Sequence, residues 1–317
     1  MRFTQLGFDE APAPHGLIPN TLAAFSLLAS VMLPPAALPW APDFRPGLTG
    51  LPRGLRLPPT GRATGRAIGR ATVVGVQVDA LTMRQIVEKI LGWTDDSSTM
   101  RVAVGVNAHV CNLAASDRIL GGDLAVTDLN YADGQSVVWA ARCLGLAIPE
   151  RVATTDLIYP LAAECARLDK KIFLYGGRPG VAEQAAAVLT RAAPGLRTEA
   201  RDGYVPEQET ARLIGEINAS GASILLVGLG DPLQQRWVSR HRGQLTVPVV
   251  LTCGGLFDHT SGAHRRAPAW LIASGLEWLW RFLLEPKRLA RRYLLGNPAF
   301  LLRLGLQLLH ARRAIRA

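Results

Sequence analysis

Asp133, in Ala132-Asp133-Gly134, is the strongest candidate for catalysis by type and context. It follows Val126-Thr127-Asp128-Leu129-Asn130-Tyr131 and precedes the apolar stretch Val137-Val138-Trp139-Ala140-Ala141. A carboxylate at such a junction can take a proton from a bound hydroxyl; the same residue type also caps helix N-termini, so both readings stand. Asn107, after the apolar run ending at Val106, could cap a helix or bind substrate, and Asp258 could bind a ribose or close a turn. Three glycine-rich junctions add a different chemistry: Gly176-Gly177-Arg178-Pro179-Gly180, Gly228-Leu229-Gly230-Asp231-Pro232 and Cys253-Gly254-Gly255. Glycine before a helix lets a phosphate approach backbone N–H groups at the positive end of the helix dipole. Ordinary turn chemistry explains any one of them; three at one sheet edge point to a nucleotide crevice. None has the spacing of a dinucleotide fingerprint or a Walker loop.

The elements that must position these residues alternate. Apolar runs at Val73-Val78, Arg101-Val106, Lys171-Tyr175, Arg197-Ala200, Ser223-Gly228 and Val247-Thr252 are separated by helix-length amphipathic stretches. That alternation predicts an α/β, Rossmann-like, mostly parallel sheet covered by helices. Ligands then bind beyond the carboxyl ends of the strands, where all the junctions above fall. The expected helices are Leu81-Trp93, Ala108-Ala115, Gly134-Leu144, Asp156-Leu168, Val181-Ala192, Glu207-Asn218 and Pro232-His241.

Charge divides the chain in three. Residues 264–317 hold eleven of the 35 Lys and Arg but two of the 25 acids, so almost all of the net +10 lies in a C-terminal basic helical appendage. Its arginines are threaded through Trp270, Leu276-Glu277-Trp278-Leu279-Trp280-Arg281-Phe282 and a leucine-rich end, a pattern suited to a surface of lipid and phosphate. The helix after Pro298 is expected to turn Phe300, Leu301, Leu304 and Leu308 to a membrane interface, with Arg303, Arg312, Arg313 and Arg316 outside; a helical hairpin packed on the body is the competing account. Residues 73–263 form the expected catalytic domain. Residues 1–72, proline-rich and ending in Gly61-Arg62-Ala63, Gly65-Arg66-Ala67 and Gly69-Arg70-Ala71, are expected to be a disordered leader without an apolar face to bury. The run Leu22 to Leu33 is too short for a span, which needs about 20 residues. Cys111, Cys143, Cys165 and Cys253 are spread singly, as in a reducing cytosol rather than a disulfide scaffold.

Nine short segments in order carry a resemblance: Val106-Asn107-Ala108-His109, Ala132-Asp133-Gly134, Glu150-Arg151-Val152 with Thr155-Asp156-Leu157, Tyr175-Gly176-Gly177, Asp202-Gly203-Tyr204, Val227-Gly228-Leu229-Gly230-Asp231-Pro232-Leu233-Gln234, Phe257-Asp258, Arg266-Ala267-Pro268 and Gly275-Leu276-Glu277-Trp278-Leu279-Trp280-Arg281. From about Val73 to Leu309 the chain resembles the WecG/TagA/CpsF glycosyltransferases. The resemblance implies an inverting transferase, with neither metal nor other cofactor, that moves an N-acetylmannosamine-type or related sugar from a UDP donor to a polyprenyl-diphosphate-linked acceptor on the cytoplasmic face of the membrane. It places Asp133 as the general base, Asn107 beside it, and Tyr204, Gln234 and Asp258 around the UDP with Gly176, Gly177, Gly228 and Gly230. Arg151 then lies near the pocket, and Arg281, Arg288 and Arg291 bind phosphate from an appendage that closes over the site.

Three departures from the family pattern bear on the donor sugar more than on the reaction class. Gly105-Val106-Asn107 stands for Thr-x-Asn, Thr154 replaces a usual glycine, and Pro232-Leu233-Gln234-Gln235 stands for Pro-Lys-Gln-Glu. An aspartate in water is a weak base, so an apolar surround is expected to strengthen Asp133. No Asp-x-Asp pair is present to hold a divalent ion, so arginine forks and helix N-termini are expected to neutralise the leaving diphosphate. Asp258, His259 and His264 match no metal-ligand spacing. Two other classes compete. A nucleotide-sugar-modifying enzyme would use the same crevice, and a nucleic-acid-binding protein would use the basic tail; no nucleic acid is expected here, and a homo-oligomer is left open.

Overall fold

The computed structural model describes residues 69–316, apart from 97 and 263–266. The expected leader, with the run Leu22 to Leu33, lies outside the described residues up to residue 68, and so does His264. The third Gly-Arg-Ala repeat departs from the expected leader: Arg70 opens strand β1 (Arg70–Val73), Ala71 is buried, and Arg70 pairs with Asp79 at 2.8 Å.

The run expected as one strand from Val73 to Val78 is a hairpin. β1 and β2 (Val76–Asp79) pair antiparallel outside the main sheet, joined by Val74 and Gly75 with φ of 50° and 82°. Two consecutive positive φ values are the signature of a tight two-residue hairpin turn. Valine rarely occupies one, which hid the turn; Gln307 holds it by accepting from the Val74 N–H at 2.8 Å.

The main sheet has β3 (Arg101–Val106), β4 (Leu129–Ala132), β5 (Lys171–Gly176), β6 (Arg197–Arg201), β7 (Ile224–Gly228) and β8 (Val249–Thr252), all parallel, in the order β4-β3-β8-β7-β5-β6. This is the expected α/β, Rossmann-like arrangement. β4 was not legible as a strand, because its Asn130 and Tyr131 break the apolar run. Both are buried: Asn130 bonds to Leu124 O and accepts from Thr127, while its backbone N–H donates to Asp79.

Alternate strand residues feed two cores. On one face Val102, Val104, Val106, Tyr175, Val227 and Val250 pack under the hairpin, α2 (Ala108–Ser116), α3 (Arg118–Ala125), α4 (Gln135–Cys143), α7 (Thr210–Ala219) and α8 (Leu233–His241). On the other, Ala103, Leu129, Tyr131, Leu174, Leu226 and Leu251 pack under α1 (Met83–Trp93), α5 (Thr154–Arg167), α6 (Val181–Ala192) and α9 (Leu256–Thr260). A sheet buried on both faces leaves its edges and loops for chemistry.

The appendage runs through α10 (Ala269–Ala273), α11 (Glu277–Leu284), α12 (Pro286–Ala290), a π-helical turn Arg291–Leu295 and α13 (Gly296–Arg316). Its last helix reverses the expectation for its apolar face. Phe300 and Leu304 are buried in the first core with Leu308 packed against it, and α13 lies on α2. Arg303 bonds to Asn112 at 2.6 Å, Asn112 to Gly296 O at 2.6 Å, and Gln307 to Thr72 O at 2.8 Å. The packed-hairpin account therefore holds for this face, and Leu302, Leu306 and Leu309 point outward instead. Removing the appendage would strip part of the body's own core. Phe300→Ala is expected to cost about 3–5 kcal/mol in urea unfolding, whereas the exposed Leu302→Ala changes stability by less than about 0.5 kcal/mol; equal effects would contradict the inward placement.

Candidate active site

Parallel pairing of β3 with β4 brings their carboxyl ends together, with Val106 opposite Ala132. Asp133 follows at once, its backbone N–H bonded to Val106 O at 2.9 Å. Its side chain does not cap α4, whose N-cap is Gly134 without a side-chain bond. It reaches instead to the start of α5, where Oδ1 accepts from the Thr154 N–H at 2.8 Å and from Thr154 Oγ1 at 3.0 Å. Oδ2 receives a longer bond, 3.4 Å, from Asn107 Nδ2. The apolar surround expected for Asp133 is thus replaced by three donors. Asn107 caps α2: its Oδ1 accepts from the N–H groups of His109 and Val110, and Nδ2 turns toward Asp133. Gly134 allows this approach, since a Cβ there would lie 2.7 Å from Asn107 Cβ.

The glycine junctions line the same edge, and Gly176, Gly177 and Gly228 serve close loop packing. A Cβ on Gly176, whose φ is 143°, would lie 2.4 Å from Gly228 O, and one on Gly228 would meet the Phe257 ring at 2.8 Å. Gly177 donates to Gly228 O and accepts from Gly203 N–H, so the ends of β5, β6 and β7 are stitched together. Gly230, with φ 78°, has open space where a side chain would stand, as do Gly180 and Gly254. Gln234 is only 3% exposed, and both ends of its amide are engaged: Nε2 donates to Asp231 Oδ1 at 2.7 Å, Oε1 accepts from Gly254 N–H at 2.9 Å. It clamps two loops rather than presenting its amide to the crevice. Gln235 shares the same Asp231 oxygen at 2.6 Å. Tyr204, at 73% exposure, stands free on the loop after β6, and Asp258 sits half-buried in α9.

The appendage touches this edge from several sides. Gly275 abuts Gln135 and Trp139 of α4, where a Cβ would come within 2.8 Å. Arg151, just before α5, pairs with Glu277 at 3.1 Å and Asp156 at 3.7 Å. Glu277, itself buried, also takes Arg281 at 2.8 Å. One carboxylate thus gathers Arg151, expected near the pocket, and Arg281, one of the three arginines expected to bind phosphate. Arg288 is exposed and bonded to Glu285 at 2.8 Å, while Arg291 is exposed on the π-helical turn. Arg281 Nε and Arg292 Nε are buried donors without a bond. Arg292 was missed in the sequence, where it reads as the neighbour of Arg291; the wider π-helical turn sets which of the pair faces inward.

Arg292 makes itself felt at His109. Burial pushes the His109 imidazole down to about 4, the Arg292 charge pushes the same way, and Asp231 opposes both. The ring is therefore neutral near pH 7. Cys253, at the end of β8, has its thiol pushed well above the ordinary range by burial and by Asp231, which removes it as a thiolate nucleophile.

A family model described as the glycosyl transferase WecG/TagA/CpsF family matches residues 71–314. The chain belongs to the WecG/TagA/CpsF glycosyltransferase family. It is an enzyme that transfers a sugar from a donor to an acceptor, and the match spans both the sheet domain and the appendage. Among the described residues of this glycosyltransferase, no three or more His, Cys, Asp or Glu gather where they could hold a metal ion.

The depressed His109 carries a stability consequence. The unfolded ring takes its proton near pH 6.5 and the folded one near 4, so the stability that His109 contributes is full above 6.5 and is lost as pH falls toward 4. His109→Gln should flatten the Tm profile across that window, and wild-type and variant profiles that run parallel would show that the ring is not held neutral.

Proposed function

We propose that this enzyme transfers an N-acetylmannosamine-type sugar from a UDP donor to a polyprenyl-diphosphate-linked acceptor, with inversion and without a metal. The observation that carries the reading is the Asp133 carboxylate, held by Thr154 and Asn107 at the carboxyl edge of the sheet with Arg151 nearby in the chain, before α5. In this scheme the acceptor hydroxyl lies against Asp133. As its oxygen attacks the anomeric carbon, its proton passes to the carboxylate and the C–O bond to UDP breaks on the opposite face. UDP departs with a negative charge that arginines must balance. Arg151 and Arg281 already share one anion, Glu277, and their planar forks suit phosphate oxygens. The open backbone at Gly230 suits the donor's diphosphate, and exposed Tyr204 offers a face for its base.

UDP release from a panel of UDP-sugars, with a lipid-diphosphate-sugar acceptor, tests donor and class together. Asp133→Asn should fold and bind UDP but lose about 10²- to 10⁴-fold in turnover; turnover near wild type would remove Asp133 as the base. Activity is expected to survive EDTA, and loss rescued by Mg²⁺ or Mn²⁺ would overturn the metal-free scheme.

For the membrane we propose peripheral attachment on the inner face. Among the described residues no helix is long and apolar enough to cross a bilayer. Trp270, Leu283, Leu294, Leu302, Leu306 and Leu309 are exposed along the appendage, beside exposed Lys287, Arg312 and Arg313. Apolar area with cations at its margin suits an anionic leaflet, where each cation adds about 1 kcal/mol. Joint replacement of Leu302, Leu306 and Leu309 by serine should weaken co-sedimentation with phosphatidylglycerol vesicles without lowering Tm; undiminished binding would move the contact elsewhere.

A further inference from the structure

Beneath Asp133 lies a buried hydroxyl pair that the scheme above has not used. Tyr131 is fully buried on β4, and its OH sits 2.7 Å from Thr154 Oγ1, which in turn sits 3.0 Å from Asp133 Oδ1. The direction of these bonds can be worked out. An ionised carboxylate only accepts, so the single Thr154 hydroxyl proton points to Asp133. Thr154 Oγ1 must then accept from the phenol, which burial and the Asp133 charge keep protonated well above the ordinary range. Oδ1 is held twice, by the N–H and the hydroxyl of Thr154, while Oδ2 has only the 3.4 Å contact from Asn107. A terminal carboxylate torsion is soft, so the two oxygens become distinct only through such bonds. Space enforces the arrangement: a Cβ at Gly105 would lie 3.0 Å from Thr154 Oγ1, 3.1 Å from Asp133 Cβ and 3.1 Å from the Tyr131 OH. Residues 105 and 154, separate departures in the sequence, compete for one volume.

We propose that Thr154 is a positioning residue: its hydroxyl, oriented by Tyr131, fixes the Asp133 carboxylate so that Oδ2 is the oxygen that takes the acceptor's proton. The proposal rests on Asp133 being the base. The test uses full-length chain and the donor–acceptor pair on which wild type releases most UDP, with kcat and donor KM measured separately. Thr154→Val keeps the backbone bond but deletes the hydroxyl, and is expected to lower kcat about 10- to 100-fold with donor KM little changed. Thr154→Ser should stay near wild type. Thr154→Gly should be impaired, and adding Gly105→Thr should recover most of the loss by restoring a hydroxyl to the same volume, while Gly105→Thr alone is impaired by crowding. Wild-type kcat in Thr154→Val beside a dead Asp133→Asn would overturn the proposal and leave the base in place. An active Asp133→Asn would overturn both. Thr154→Ser as poor as Thr154→Val would assign the effect to packing of the lost methyl and overturn it; if Thr154→Val fails to fold, the serine variant and the double variant decide.

Discussion

The joint between β3, β4 and α5 constrains everything around the crevice. Asp133 donates its backbone N–H to Val106 O, Val152 donates to Ala132 O at 2.8 Å, and the Asp133 carboxylate receives the first N–H of α5. Three elements therefore end or begin within hydrogen-bond reach of one residue. A carboxylate at a helix N-terminus is a stabilising cap in its own right, so the group proposed as the base also secures the architecture that presents it. This explains why Asp133→Asn, which keeps the shape and can still accept from Thr154, is a more discriminating change than truncation.

The appendage is part of the same construction. Its charge suggested a separable tail, but Phe300 and Leu304 complete the core over α2, and Gln307 pins the β1–β2 turn. The helix thus works on two sides, packing inward through one stripe and exposing leucines on the other. Burial of Glu277 between Arg151 and Arg281 ties the start of the appendage to the body through a bond that is strong only while both partners stay dry.

Polar clamps tie the loops at the carboxyl edge of the sheet together. Asp231 takes both Gln234 and Gln235, and Gln234 reaches across to Gly254. Gly176 is required where the Gly228 backbone passes too close for a side chain, and Gly228 where the Phe257 ring packs against it.

The sequence by itself determined the α/β class, all seven expected helices to within a few residues at each end, and the Gly-rich junctions at the carboxyl ends of the strands, because apolar periodicity and Gly-rich junctions are local signals. It also singled out Asp133 and Asn107 as candidate site residues, through their junction positions and the family motifs. It did not resolve β4, whose buried Asn130 and Tyr131 are satisfied only by distant partners, nor the hairpin hidden by Val74. The face that α13 buries, the engagement of Gln234 on both ends, the inward Arg292 and the meeting of Gly105 with Thr154 were decided by tertiary structure. Each depends on what stands opposite a side chain, and residues far apart in the chain supply that. Spacing says which residues share a face; only the packed fold says what that face meets.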